Sequence, residues 1–201
     1  MKILLTAFDP FGGASVNPAW EAVSRVREDL PGIALRKLLV PTVFAESGAL
    51  VNRTANEWGA EAVICVGQAG GRYEVTPERV AINIDDASVP DNAGDQPLDR
   101  PITPGGAPAY FATLPNKAIV AALRKAGIPS SLSDSAGTYV CNHLLYQVLE
   151  ENALRHPERL GGFLHLPFLP AQVVNRSRTP SMALGDMVRA LEIALAVTSA
   201  V

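Results

Sequence analysis

"KILLTAF" (residues 2–8) is a short unbroken apolar run at the head of the chain. A strand solvated on one face would alternate apolar and polar residues; a continuous run reads as a strand buried on both faces. "EAVICVG" (61–67) has the same character, and "IALRKLLV" (33–40) is a further strand candidate. Helical patterns fall between them. "NPAWEAVSRVREDL" (17–30) offers Asn17 as N-cap and Pro18 at the first helical position, with Ala19, Ala22, Val23 and Val26 at helical spacing. "VFAESGALVNRTANEW" (43–58) places Phe44, Leu50 and Val51 inward.

The rhythm breaks at 72–110: "YEVTPERVAINIDDA" alternates as antiparallel or edge strands do, and a long Pro-, Gly- and Asp-rich loop follows. Order resumes with "AYFATL", a helix at 116–127 closed by Gly127, and a strand "PSSLSDS". Then come a helix from Cys141 to about Arg155, a strand and loop "GGFLHLPFLP" (161–170), and a last helix starting near Thr179–Pro180. Buried strands alternating with helices predict one α/β domain over residues 1–201, a three-layer α/β/α sandwich on a mixed, mostly parallel sheet.

Composition narrows the function classes. The chain has 201 residues, 48% hydrophobic and 18% charged, which is globular and enough for a full core. The net charge of −3 and the lack of a Lys/Arg block argue against nucleic acid or an anionic membrane as partner. No apolar run approaches the roughly 20 residues a membrane helix needs. The first residues do not form a signal peptide, so a cytoplasmic location is expected. Two cysteines make neither a disulfide scaffold nor a zinc signature, and no metal ligand set is read.

"SDSAGTYVCNHLL" (133–145) places Cys141 in the first turn of a helix, behind small residues. Free N–H groups and the helix dipole favour an anion there, so the position suits a thiolate nucleophile. The plain alternative is a small hydrophobe packed beside Leu144 and Leu145. Cys65, mid-strand in an apolar run, reads as structural.

A cysteine nucleophile needs a base. His143 lies two residues on, about 200° around the helix, and His156 closes that helix. His165 interrupts an apolar strand end, where sites form in open α/β sheets, and is the best candidate. Glu78 is the favoured group to orient it, with Asp85 and Asp86 as rivals. Two glycine-rich loops follow buried strands: "TAFDPFGGASVNP" brings Phe8 and Phe11, and "VGQAGGR" brings Gln68 and Arg72. Neither is a dinucleotide fingerprint.

Six segments together, "LLTAFDPFGGASVNP", "VGQAGGR", "TPERVAINIDDA", "PDNAGDQP", "SDSAGTYVCN" and "GFLHLPFLP", resemble the pyroglutamyl peptidase I family in order and spacing. The resemblance implies a cysteine peptidase that removes an N-terminal pyroglutamyl (5-oxoproline) residue from peptides. It implies a catalytic triad of Glu78, Cys141 and His165, and Phe8, Phe11 and Gln68 holding the ring. Asn17 and Arg72 join them as substrate-binding candidates. It further implies no cofactor, and a homo-oligomer, tetramer or dimer. Two departures stand out: Ala7 where relatives usually carry glycine, and Ser88 where many carry arginine. The second motivates an alternative, a weakened homologue that only binds pyroglutamyl peptides. A nucleoside phosphorylase-like enzyme would need a phosphate site with several cations, and only Arg72 and Arg79 are near.

Overall fold

A computed structural model of the protein describes residues 1–201. In chain order the elements are β1 (Lys2–Phe8), α1 (Pro18–Arg25), β2 (Ala34–Val40), α2 (Phe44–Trp58), β3 (Ala62–Gln68), β4 (Thr76–Pro77) and β5 (Val80–Ile82). They continue with β6 (Ala109–Phe111), α3 (Asn116–Lys125), α4 (Val140–Arg155), β7 (Leu160–Leu166), α5 (Pro170–Val173) and α6 (Leu184–Ser199). The main sheet has the order β2-β1-β3-β7-β4. Its first four strands are parallel, and β4 joins the edge antiparallel to β7. The expected mixed, mostly parallel sheet is what forms.

The continuous apolar runs are explained by the two faces. Along β1, Ile3, Leu5 and Ala7 meet α1, α3 and α6 in one core, while Leu4 and Phe8 enter a second core with α2 and α4. β3 divides the same way, Ile64 and Val66 on one side and Val63 and Cys65 on the other. A strand covered by helices on both faces has no solvated side on which to place polar residues. No helix of the chain is long and apolar enough to cross a membrane.

Several boundaries differ from the sequence expectation. α1 ends at Arg25 rather than near Leu30, because Val26 turns to extended backbone (ψ 136°) and Arg27 turns to Glu192 of α6 instead. "PSSLSDS" is not a strand: its pairing is limited to two isolated bridges, Val75 to Ser130 and Glu78 to Ser133. The last helix begins at Leu184, several residues after Pro180. The long loop is pinned at its base by paired Asp85 and Arg100 backbones, at 2.7 and 2.9 Å. Within it, the buried Asp91 carboxylate accepts from the N–H groups of Phe44, Ala93 and Asp95.

β7 lies between β3 and β4 and carries two adjacent glycines, Gly161 and Gly162. A Cβ on Gly162 would stand 2.5 Å from Leu114 Cδ1 and 2.7 Å from its Cγ. Gly162→Ala should therefore overpack that site and cost about 1–3 kcal/mol. The check is thermal or denaturant unfolding, and an unchanged midpoint would contradict this packing.

Candidate active site

Cys141 is the second residue of α4, whose first residue is preceded by Tyr139 with no side-chain cap. His143 N–H already returns to Tyr139 C=O. The N–H groups of Val140, Cys141 and Asn142 precede it in the first turn, where the helix has no carbonyl to offer them. That leaves a cluster of donors around the sulfur.

β3 and β7 run parallel with Gly67 opposite His165. Alternation along both strands turns Cys65, Gly67, Phe163 and His165 toward α4. The Cys141 sulfur rests over Gly67: a Cβ there would lie 3.0 Å from Sγ and 2.7 Å from the Phe163 ring. The missing side chain at Gly67 is the space the thiol occupies. The Phe163 ring supports His165 with centroids 4.7 Å apart.

Glu78 follows β4, and its side chain is fully buried. Its N–H donates to Phe163 C=O (2.9 Å), and its own C=O accepts from Asn116 Nδ2 (2.9 Å). The backbone is therefore locked to β7. Oε1 lies 2.6 Å from His165 Nδ1 and 2.7 Å from Arg72 Nη1. Burial pushes the Glu78 carboxyl up, but the bonds from His165, Ser133 and Arg72 outweigh it and hold it below 4.5. An ionised carboxylate at Nδ1 requires that nitrogen to carry the proton, leaving Nε2 as the basic one.

The thiol behaves differently from the expectation based on the helix start alone. Burial pushes Cys141 up to about 12, the Glu78 charge adds to this, and Arg72 only partly offsets it. Burial also holds His165 below 6.5, against the opposing pull of Glu78. Both shifts favour a neutral thiol and a neutral imidazole at rest, with desolvation of the sulfur set against the pull of the helix start. Cys65 is buried within β3 and likewise raised to about 12.

The other expected residues are distributed unevenly. Gln68 ends β3, one residue past Gly67, and is half-buried. Phe11 is half-buried and stacks on Tyr139, centroids 6.0 Å apart. Phe8 is only 2% exposed and packs on Phe163, so it supports the site from the core. Asn17 is spent within the chain: Oδ1 caps Ala19 N–H (3.0 Å) and Nδ2 donates to Asp9 C=O (2.9 Å). Arg72 is committed to Glu78, to Thr76 Oγ1 and to Ser135 C=O, behind the triad. It is thus not free to replace an arginine at the exposed Ser88. Asp85 holds His143, at 2.9 and 3.1 Å, on the other side of α4 from the sulfur. Tyr139 was not singled out by sequence reasoning, although it immediately precedes the nucleophile helix.

A family model for pyroglutamyl peptidase matches residues 1–200. The chain belongs to the pyroglutamyl peptidase family. Within it, the chain is 53% identical over 197 residues to pyrrolidone-carboxylate peptidase 2 of Caldanaerobacter subterraneus subsp. tengcongensis, covering 98% of this chain and 96% of that one. It is 54% identical over 195 residues to pyrrolidone-carboxylate peptidase of Lactobacillus johnsonii (97% and 91%). The crystal structure of Bacillus amyloliquefaciens pyroglutamyl peptidase I superposes with a TM-score of 0.96 at 46% identity, covering 100% and 97% of the two chains. Pyrrolidone carboxyl peptidase from Pyrococcus furiosus gives 0.94 at 35% identity (98% and 98%). In this pyroglutamyl peptidase family chain, Glu78 after β4 bonds His165 of β7, and Cys141 of α4 packs on Gly67, the β3 residue opposite His165.

Gly67→Ala should remove catalysis by displacing the sulfur and the Phe163 ring together. The expected loss in kcat/KM is at least about 100-fold, the scale of a misplacement of roughly 1 Å. Steady-state kinetics on the folded variant test it, and near-wild-type turnover would show that Gly67 does not define the thiol's position.

Proposed function

We propose that the protein is a cysteine exopeptidase that hydrolyses the bond after an N-terminal pyroglutamyl residue, through a thioester on Cys141. The observation that carries this is the Glu78–His165 contact at 2.6 Å, on the strand next to Gly67, over which the Cys141 thiol is seated. Family membership gives the substrate class.

The chemistry follows from the protonation states. His165 Nε2, free of bonds to the chain, takes the proton from the Cys141 thiol as Sγ attacks the pyroglutamyl carbonyl. Glu78 keeps Nδ1–H in place and stabilises the imidazolium that forms. The carbonyl oxygen becomes an oxyanion, within reach of the first-turn N–H groups of α4. One such donor is typically worth about 2.7–4 kcal/mol of barrier. Collapse breaks the C–N bond, and the leaving amine takes the proton held on Nε2. Water then gives a proton to Nε2 and attacks the thioester, releasing 5-oxoproline and restoring the thiol. Starting from a neutral pair, proton transfer and attack are coupled, so the buried sulfur need not hold a charge before substrate arrives.

Recognition rests on a small ring with one N–H, one C=O and no free amine. Phe11 and Tyr139 offer an apolar wall, and Gln68 a polar group. The intact Glu78–His165 pair supports an active enzyme over the binding-only alternative that Ser88 suggested. Peptides beginning with pyroglutamate are the partners, and assembly into a dimer or tetramer goes with the family resemblance.

Cys141→Ser should abolish release of a chromogenic amine from a pyroglutamyl amide, whereas Cys65→Ser should retain most of it. His165→Ala should lose activity with the fold kept, and His143→Ala, on the far side of α4, should be mild. Undiminished turnover in Cys141→Ser would sink the mechanism.

A further inference from the structure

Gln172 belongs to the four-residue helix α5 and was not singled out by the sequence. Its side chain makes three contacts of fixed or readable polarity. Its Oε1 accepts from Leu169 N–H at 2.8 Å. Its Nε2 reaches Val16 C=O at 3.4 Å and Gln68 Oε1 at 3.0 Å. The two ends of an amide look alike in shape, so orientation must come from the partners. Here the partners decide. A backbone N–H can only donate, so the Gln172 atom facing Leu169 is the oxygen. A backbone C=O can only accept, so the atom facing Val16 is the nitrogen. That same nitrogen faces Gln68, and the Gln68 atom it meets must therefore be an acceptor. Two backbone groups thus set one amide, and that amide sets the next.

We infer that Gln172 is a positioning residue that locks the Gln68 amide so its N–H groups, not its oxygen, face the substrate ring. The Gln68 nitrogen has no bond within the chain, and its side chain is half-exposed, one residue beyond Gly67 and the Cys141 sulfur. A donor at that point pairs with the lactam C=O of 5-oxoproline. Proline carries a methylene where the lactam has that carbonyl and would leave the donor unpaired. Sites built on such pairing reject the analogue lacking the group by up to about 10⁴-fold or more. Selectivity for the oxidised ring then originates in Leu169 N–H and Val16 C=O, relayed through Gln172. This inference rests on the peptidase reading for its substrate.

Two variants separate positioning from simple structural support. Gln172→Glu keeps the acceptor for Leu169 N–H but replaces the donor to Gln68 with an oxygen. Gln68 must then turn and present its own oxygen to the ring. Gln172→Met loses all three contacts and leaves Gln68 free to rotate. Gln172 borders a cavity of about 340 Å³ with Gly13, Val16 and Arg176, so neither change overfills the site. The expected order of KM for a pyroglutamyl amide is wild type, then Gln172→Met, then Gln172→Glu. The last should be raised about tenfold or more, with kcat much less affected and the preference over the prolyl amide reduced. If Gln172 only caps Leu169, Gln172→Met is the worse of the two, and that order overturns the inference, as does an unchanged KM in both. The rate of Cys141 alkylation, with and without 2-pyrrolidone as a bare lactam, gives a readout free of turnover. Should the wild type hydrolyse no pyroglutamyl amide, the peptidase reading fails. Lactam protection weakened most in Gln172→Glu would still support the positioning role, and equal protection in all three proteins would refute it.

Discussion

A single carboxylate oxygen holds this site together. Glu78 Oε1 takes both the His165 Nδ1 proton and the Arg72 guanidinium, in a side chain with no exposed surface. A buried carboxylate without partners would protonate or force the fold open. With two charge-assisted bonds it stays ionised, and the ionised form dictates the histidine tautomer. The short edge strand β4 exists for this placement. Pro77 has no N–H to donate, which an edge strand tolerates, and it sets Glu78 directly beside Phe163. Arg72 then extends the pair to Ser135, in the loop that leads to Cys141. The carboxylate thus links the sheet edge, His165 and the loop that precedes Cys141.

The other constraint is space. α4 brings its first turn down onto the sheet and places the Cys141 thiol over Gly67 of β3. Gly67 allows this where a methyl would meet both the sulfur and the Phe163 ring. The cost of so close an approach is desolvation of the half-buried sulfur, which pushes the Cys141 thiol up to about 12. In the proposed mechanism that proton moves during the attack, which makes the basic nitrogen of His165 the decisive group.

Much of this was legible before any coordinates. Unbroken apolar runs at 2–8 and 61–67 gave strands buried on both faces, and the α/β/α order follows from them. Cys141 at a helix start, His165 at a strand end and Glu78 beside an edge strand each showed a local anomaly with a chemical reading. What stayed hidden depends on partners distant in sequence. Nothing near Arg25 announces that α1 stops there, since Arg27, two residues on, turns to Glu192. Asn17 and Arg72 sit in the right loops, yet their polar atoms are consumed by Asp9, Ala19, Glu78 and Ser135. Gln172 looked like an ordinary residue after Pro170, because its meaning lies in Gln68, far away along the chain. The helix-start rule for Cys141 was sound in direction but smaller than desolvation, a quantity that only packing reveals.

The central claim is that Glu78 holds His165 as a neutral base protonated on Nδ1. Nitrogen-15 NMR of the histidine ring, with His165 assigned by its absence in His165→Ala, tests this most directly. The account predicts a protonated Nδ1 and an unprotonated Nε2 at neutral pH, with the ring taking its second proton only below pH 6.5. An Nε2–H tautomer, or a ring already doubly protonated at neutral pH, would contradict it.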